Sequence, residues 1–278
     1  MSPSQVPVLP LADPSLGAVT EEPVVLGLSG ARVVRLRDAG GRPVAYVKLA
    51  VAPGLVTDLL HEADRLTVLG RIGLPVPPVL DSGVRDGWTW LLTGVQPGRP
   101  ASDPWPAAER AGVVALLARA ARVLHGFGGI AGARYDRTPA GLLRLARRRV
   151  EAGLVDRAWS AAGVQGPPAA VALKECEERA QALGPGPATL VHGDLSLPNV
   201  LITPERTFGF VDLARAGRGD PHADLADLVR SLRNDLNPQF GEADVELFLD
   251  AYGRDRVEPE RLALHDELET FFGPGPAS

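Results

Sequence analysis

Cysteine is nearly absent: Cys176 is the one thiol in 278 residues. A lone thiol cannot close an internal disulfide, and such sparing use points to a reducing compartment. Long apolar runs are lacking as well. No stretch approaches the roughly 18–20 residues that a membrane-spanning helix requires, so no membrane role is expected. Nor is there a surplus of basic residues, since the net charge is −5. A nucleic-acid binder draws much of its affinity from phosphate contacts, so no nucleic-acid partner is expected. The acidic balance instead favours a cationic ligand. The opening MSPSQVPVLPLADPSL lacks a basic n-region and contains prolines, a poor match to a secretory signal. The expected location is the cytoplasm, and no obligate protein partner is evident.

What is present is an ordinary globular composition, 45% hydrophobic and 23% charged, long enough for one large domain or two lobes. Residues 1–22 are rich in Pro, Ser and small residues and read as an irregular arm. From Val24 the pattern becomes VVLGLSGARVVRLRDAGGRPVAYVKLAV. Val24–Leu28, Ala31–Arg37 and Pro43–Val51 alternate or run β-branched, which predicts three antiparallel strands joined by tight turns. The first turn holds Gly27, Ser29 and Gly30, small residues at which a phosphate could approach backbone N–H groups. It has no GxGxxG fingerprint, and by itself it reads as a plain hairpin turn.

Residues 56–71 place Leu59, Leu60, Ala63, Leu66 and Leu69 at helical spacing. Lys48 near the end of the third strand and Glu62 on this helix are either unrelated surface charges or an ion pair that aims lysine at nucleotide phosphates. Residues 74–80 form an extended Pro-rich link, followed by a strand pair turned at Asp86-Gly87. The segment QPGRPASDPWP after Val95 marks the lobe boundary, with the backbone of Thr93, Gly94 and Gln96 expected beside an adenine ring. The chain thus divides into an arm (1–22), a nucleotide-binding lobe (23–95) and a catalytic and substrate-binding lobe (96–278).

The second lobe reads as helical over 107–127, 140–151 and 171–183, with 152–168 a loop or insertion. Arg144, Arg147, Arg148 and Arg149 read as a solvated face, and His125 as a structural histidine. The chemistry concentrates in LVHGDLSLPNVLITPERTFGFVDLARAGRGD (190–220). A strand (Thr189–Val191) leads into a loop bearing His192, Asp194 and Asn199. Two further strands, Val200–Thr203 and Thr207–Val211, return the chain to Asp212. A carboxylate to orient a hydroxyl, then an amide and a carboxylate to hold metal, is the order that phosphoryl transfer from a Mg²⁺-bound nucleotide needs. A zinc site through His192 and Asp194 would need further convergent ligands that nothing supplies. A solvent loop would leave the same residues as ordinary turn formers.

Those residues carry a resemblance. VHGDLSLPNVLI, FGFVDLARAGRGDPHADLADLVRSL, GLSGARVVRL with AYVKLAV, LHEADRLTVL and the closing VELFLDAYG and ERLALHDELETFF resemble the aminoglycoside phosphotransferases, most of all the 3′-phosphotransferase group. The match covers most of 24–272 and is loosest over 98–188. It implies an α+β, two-lobed protein-kinase-like fold, with a small antiparallel-sheet N-lobe and a mainly helical C-lobe. The implied activity is ATP-dependent phosphorylation, with GTP as an alternative donor, of an aminoglycoside hydroxyl, the 3′-hydroxyl, giving antibiotic resistance. Asp194 would be the catalytic base, and Asn199 and Asp212 the Mg²⁺ ligands. Lys48, held by Glu62, would contact the α- and β-phosphates, Ser29 would cover the β- and γ-phosphates, and Tyr46 would stack on adenine. Arg215 and Arg230 would belong to the substrate end, where Asp235, Asp266 and Glu267 receive ammonium groups. Asp224 would brace the catalytic loop.

The sequence departs from the group's pattern at Thr93, in place of a hydrophobic hinge residue, at Asn234, in place of an acid, and at Glu269, where an aromatic commonly follows the DEL. Two rival readings remain: a kinase of another small hydroxylated molecule, and a catalytically inactive nucleotide-binding protein. A protein kinase is disfavoured, because there is no evident activation segment after Asp212.

Overall fold

The computed structural model describes residues 18–24, 32–51, 53–85, 87–128, 136–162 and 166–272. Ser29, most of the strand expected at Val24–Leu28, Asp86 of the expected turn and most of the N-terminal arm lie outside the described residues. The chain forms two compact units, Met1–Gln96 and Pro97–Ser278.

The first unit is an antiparallel sheet with one helix. Strands β1 (Thr20–Val24), β2 (Arg32–Arg37), β3 (Pro43–Ala50), β4 (Val79–Arg85) and β5 (Trp88–Gly94) lie in the order β1-β2-β3-β5-β4. Alternation sends Val34, Leu36, Ala45, Val47, Leu49 and Leu92 into one apolar cluster, so Tyr46 and Lys48 project from the other face. The helix α1 (Pro53–Arg71) buries Leu59, Glu62, Ala63, Leu66 and Leu69 at helical spacing. Gly83 is demanded by its cross-strand partner Trp90, whose ring would lie 2.5 Å from a Cβ there.

One strand begins earlier than its apolar pattern announces. β1 starts at Thr20, inside the stretch read as an arm. Its sequence TEEPV has no apolar alternation, because it is an edge strand with a proline. Charge rather than burial secures it: Glu22 lies opposite Arg35 and bonds both Arg35 (3.1 Å) and Arg37 (2.7 Å).

The second unit is mainly helical: α2 (Ala107–His125), α3 (Pro139–Glu151), α4 (Leu154–Ala161), α5 (Ala169–Leu183), α6 (His222–Arg233), α7 (Glu242–Tyr252) and α8 (Pro259–Glu269). α2 packs on α7, and α6 on α8. Buried leucines such as Leu117 and Leu124 anchor α2, each worth about 2–3 kcal/mol of burial. The helix α4 replaces the loop expected over 152–168. It is short, and its apolar signal is the single i, i+4 pair Val155 and Trp159, which joins a core cluster with Leu173, Leu264 and Phe271. Two small sheets complete the unit. One joins β10 (Phe208–Phe210), β9 (Val200–Ile202) and β6 (Arg99–Pro100); the other joins β7 (Asp136–Arg137), β11 (Gly217–Gly219) and β8 (Thr189–Val191). The antiparallel N-terminal sheet and helical C-terminal unit are the expected α+β make-up. Among the described residues no helix is long and apolar enough to cross a membrane.

Candidate active site

In the first unit, Lys48 and Glu62 form a two-pronged ion pair, with Nζ 2.8 Å from Oε1 and 2.9 Å from Oε2. Glu62 is 4% exposed at its side chain and Lys48 24%, so the pair is shielded enough to fix the lysine's direction. Thr93 lies opposite Tyr46 in the sheet, and the Gly94 N–H donates to the Pro78 carbonyl (2.9 Å). Gln96 follows outside any helix or strand. The Tyr46 hydroxyl accepts from Arg35 Nε (3.2 Å), and the Arg35 guanidinium stands 5.6 Å from the ring centroid.

In the second unit, the strand β8 delivers His192, Gly193 and Asp194 into a buried loop whose backbone is held from behind. Asp224, in the first turn of α6 and fully buried, accepts the N–H groups of His192 (2.8 Å) and Gly193 (2.9 Å). It also meets His125 Nε2 at 3.1 Å, while His125 Nδ1 lies 2.9 Å from the Tyr252 hydroxyl. Burial opposes the Asp224 charge, yet His125, His192 and the backbone bonds outweigh it and hold the carboxyl below its ordinary range. The start of a helix also favours a carboxylate there. Gly193 cannot be replaced cheaply, since its φ is +78° and a Cβ would sit 2.5 Å from the Arg215 carbonyl.

Val211 ties the rest together. Its N–H donates to the Asn199 carbonyl (3.1 Å), and its own carbonyl accepts from His192 Nε2 (3.0 Å). Asp212 follows in the left-handed region at φ 62°, which Asp tolerates better than most side chains. The Asn199 amide nitrogen donates to the Asp194 carbonyl (2.8 Å), so the side-chain oxygen is the atom with which Asn199 could ligate a cation. Among the described residues no three His, Cys, Asp or Glu side chains converge as a metal site. An amide and a carboxylate suit Mg²⁺, which keeps waters and takes further ligands from phosphates.

The Asp194 carboxyl sits above its ordinary range because burial disfavours its charge. Arg215 and His192 pull the other way, and Asp212 and Glu269 add to the rise. Around it runs a chain of alternating charges. Arg215 Nη1 bonds Glu269 Oε1 (3.0 Å), and Arg230 bridges Asp227 (3.1 Å) and Asp266 (3.0 Å). Asp227 is pushed well upward, first by burial and then by Glu269, with Asp194 and Asp224 contributing. Arg215, Arg230 and Asp266 thus fall in one neighbourhood with Asp194. Glu267 does not: it pairs with Arg179 on α5 and takes the Cys176 thiol (3.6 Å). Asp235 lies exposed in the turn after α6.

Sequence reasoning passed over three residues of this network. Asp227 carried a readable signal, being an acid on the buried stripe of α6, three residues after Asp224. Glu269 showed only as a departure from a pattern. Arg137, whose Nη2 reaches the Gly193 carbonyl (3.3 Å), gave no signal, because the parallel pairing of β7 with β11 that brings it there joins segments distant in sequence.

The family model for the phosphotransferase enzyme family (APH) matches residues 22–264. The chain belongs to the phosphotransferase enzyme family. An aminoglycoside 3′-phosphotransferase of Streptomyces fradiae is 39% identical over 256 residues, covering 88% of this chain and 92% of the relative. The crystal structure of an aminoglycoside-3′-phosphotransferase of type VIII superposes with a TM-score of 0.77 at 38% identity, covering 91% of this chain and 94% of the other. The aminoglycoside phosphotransferase APH(3″)-Id of Streptomyces rimosus, solved with ADP and streptomycin, superposes with a TM-score of 0.67 at 30% identity, covering 94% and 96%.

Proposed function

We propose that this phosphotransferase moves the γ-phosphoryl group of ATP to an aminoglycoside hydroxyl and so inactivates the antibiotic. The observation that carries the reading is Asp194 on a loop fixed by Asp224 and Val211, with Asn199 and Asp212 on the same backbone frame. Relatives at 38–39% identity are named aminoglycoside 3′-phosphotransferases, and the Streptomyces rimosus relative is solved with a nucleotide and an aminoglycoside. On that basis the acceptor is the 3′-hydroxyl.

Residues 23–95 act as the nucleotide-binding lobe and 96–278 as the catalytic and substrate-binding lobe. Lys48, aimed by Glu62, binds the α- and β-phosphates; Ser29 covers the β- and γ-phosphates. Tyr46 and the backbone of Thr93, Gly94 and Gln96 bind the adenine. Asn199 and Asp212 would hold Mg²⁺, which when bound would neutralise phosphate charge. Asp194 orients the acceptor hydroxyl and takes its proton as the new P–O bond forms. Asp235 and Asp266 offer carboxylates to ammonium groups of the acceptor, whereas Glu267 is engaged by Arg179.

The test is incubation with ATP, Mg²⁺ and kanamycin or neomycin, followed by mass spectrometry. One added phosphoryl group is expected, and none on an analogue lacking the 3′-hydroxyl. Phosphorylation of that analogue would refute the regiochemistry. No phosphorylation of any aminoglycoside, with phosphorylation of another small alcohol, would favour the reading of a different small-molecule kinase.

A further inference from the structure

Glu269 is the last residue of α8, a poor place for a carboxylate, because the helix C-terminus carries partial negative charge. It is partly shielded there, with 26% of its side chain exposed. Its neighbours are Arg215 from the segment after β10, Asp194 from the loop after β8, Asp227 and Arg230 from α6, and Arg137 from β7. Among these Arg215 alone bonds it, at 3.0 Å. Arg215 is also the strongest favourable charge on Asp194, yet among the described residues its side-chain hydrogen bond goes to Glu269 and not to Asp194. An arginine beside a half-buried carboxylate ordinarily closes a bidentate pair with it. Here a second carboxylate, arriving from the far end of the chain, takes the guanidinium instead.

We infer that Glu269 is a positioning residue: it holds Arg215 in place, so that Arg215 supports the Asp194 charge through space while both carboxylate oxygens stay open to the acceptor hydroxyl. The inference rests on the phosphoryl-transfer reading above. Without Glu269, Arg215 collapses onto Asp194 and competes with the acceptor. The cost falls on kcat rather than on nucleotide binding, because the misplaced group sits at the acceptor side.

The experiment is a double-mutant cycle of Glu269→Ala and Arg215→Ala, with Glu269→Gln as the conservative variant, read in kcat, KM for ATP and Tm. Glu269→Ala should lower kcat on the order of 10-fold, the scale of a modest misplacement, with KM for ATP within about two-fold of wild type. Glu269→Gln, whose amide oxygen still accepts from Arg215, should recover most of kcat. The double variant should match Arg215→Ala alone, since Glu269 acts only through Arg215. The inference is overturned if Glu269→Ala leaves kcat unchanged, if Glu269→Gln is as slow as Glu269→Ala, or if the two losses multiply. Should wild type transfer no phosphoryl group, the proposed function fails, and the cycle in Tm decides the inference alone: non-additive shifts support the Arg215–Glu269 hold, additive ones overturn it.

Discussion

Replacing Asp224 by alanine should unfasten the catalytic loop without touching any group that meets substrate. The carboxylate is fully buried and makes three bonds: to the His192 N–H (2.8 Å), the Gly193 N–H (2.9 Å) and His125 Nε2 (3.1 Å). Each bond to a charged acceptor contributes about 1.5–3 kcal/mol, and each donor stranded in the interior costs about 1–3 kcal/mol. Local relaxation recovers part of this, so Asp224→Ala should cost about 3–5 kcal/mol, as for other broken buried pairs. Asp224→Asn, whose amide can satisfy one backbone N–H but faces the other with a donor, should cost about 2–4 kcal/mol on the same grounds. Urea denaturation at pH 7 measures both. The sign with pH also follows. The folded carboxyl lies below its ordinary range, so its stabilisation is present above the unfolded pKa of about 4 and is lost as pH falls through the folded pKa. Asp224→Asn should therefore have a shallower acid dependence than wild type. Because the displaced loop carries Asp194, kcat should fall about 100-fold, the cost of an ångström-scale misplacement. An Asp224→Ala protein with a wild-type urea midpoint and slope would refute the reasoning.

Asp194→Ala should lower kcat at least ~100-fold with little effect on KM for ATP, and Asp212→Ala should abolish metal-dependent turnover; steady-state kinetics with a Mg²⁺ titration reads both, and near-wild-type rate in either would defeat the assignment. Glu62→Gln keeps the side-chain shape but removes the charge that directs Lys48 at 2.8 Å, so KM for ATP should rise about 10-fold, the loss of one charge-assisted bond. Gly193→Ala places a Cβ 2.5 Å from the Arg215 carbonyl at φ +78° and should cost about 2–4 kcal/mol in chemical denaturation, whereas Gly184→Ala, with open space around its Cβ, should cost about 1–3 kcal/mol from backbone strain alone, because φ 68° with ψ −178° is open essentially only to glycine.

Where a segment carries its own periodicity, the sequence and the structure agree closely. The helix expected over 107–127 ends at His125, and the strands around Lys48 appear in the expected antiparallel order. For Lys48 and Glu62 the strand-then-helix spacing left unrelated surface charges open, and only the resemblance paired them; the structure joins them at 2.8 Å. The misses have physical causes. β1 is a polar edge strand, so no buried face marks it. α4 is eight residues long, too short for two apolar positions to stand out. Asp227 escaped notice and Glu269 showed only as a departure from the group's pattern, because their importance lies in mutual proximity, which only the packing of α6 on α8 creates. Glu267 illustrates the converse. A matching position in a motif says nothing about which way the side chain turns, and here Arg179 occupies it.

The location of Glu269 depends in turn on a second buried acid, Asp220. Its Oδ1 accepts the His222 N–H (3.0 Å) and meets His222 Nδ1 at 2.6 Å. His222 Nε2 accepts the Glu258 N–H (3.0 Å), which fixes the tautomer: Nδ1 carries the proton and donates to Asp220. Oδ2 lies 3.5 Å from Arg261 Nη1 and 3.7 Å from His265 Nε2, both on α8. Asp220 therefore ties the start of α6 to the start and middle of α8. Burial opposes its charge, but His222 and His265 outweigh that and hold the carboxyl far below its ordinary range, so its stabilisation is present above pH about 4 and is lost only in stronger acid. Asp220→Asn should cost about 3 kcal/mol at pH 7, the scale of breaking a buried charge pair, and should loosen α8. If α8 sets Glu269 and Glu269 sets Arg215, the same substitution lowers kcat in an otherwise wild-type chain but lowers it no further in the Arg215→Ala background. A full kcat loss from Asp220→Asn in that background would show that α8 reaches the catalytic loop by another route.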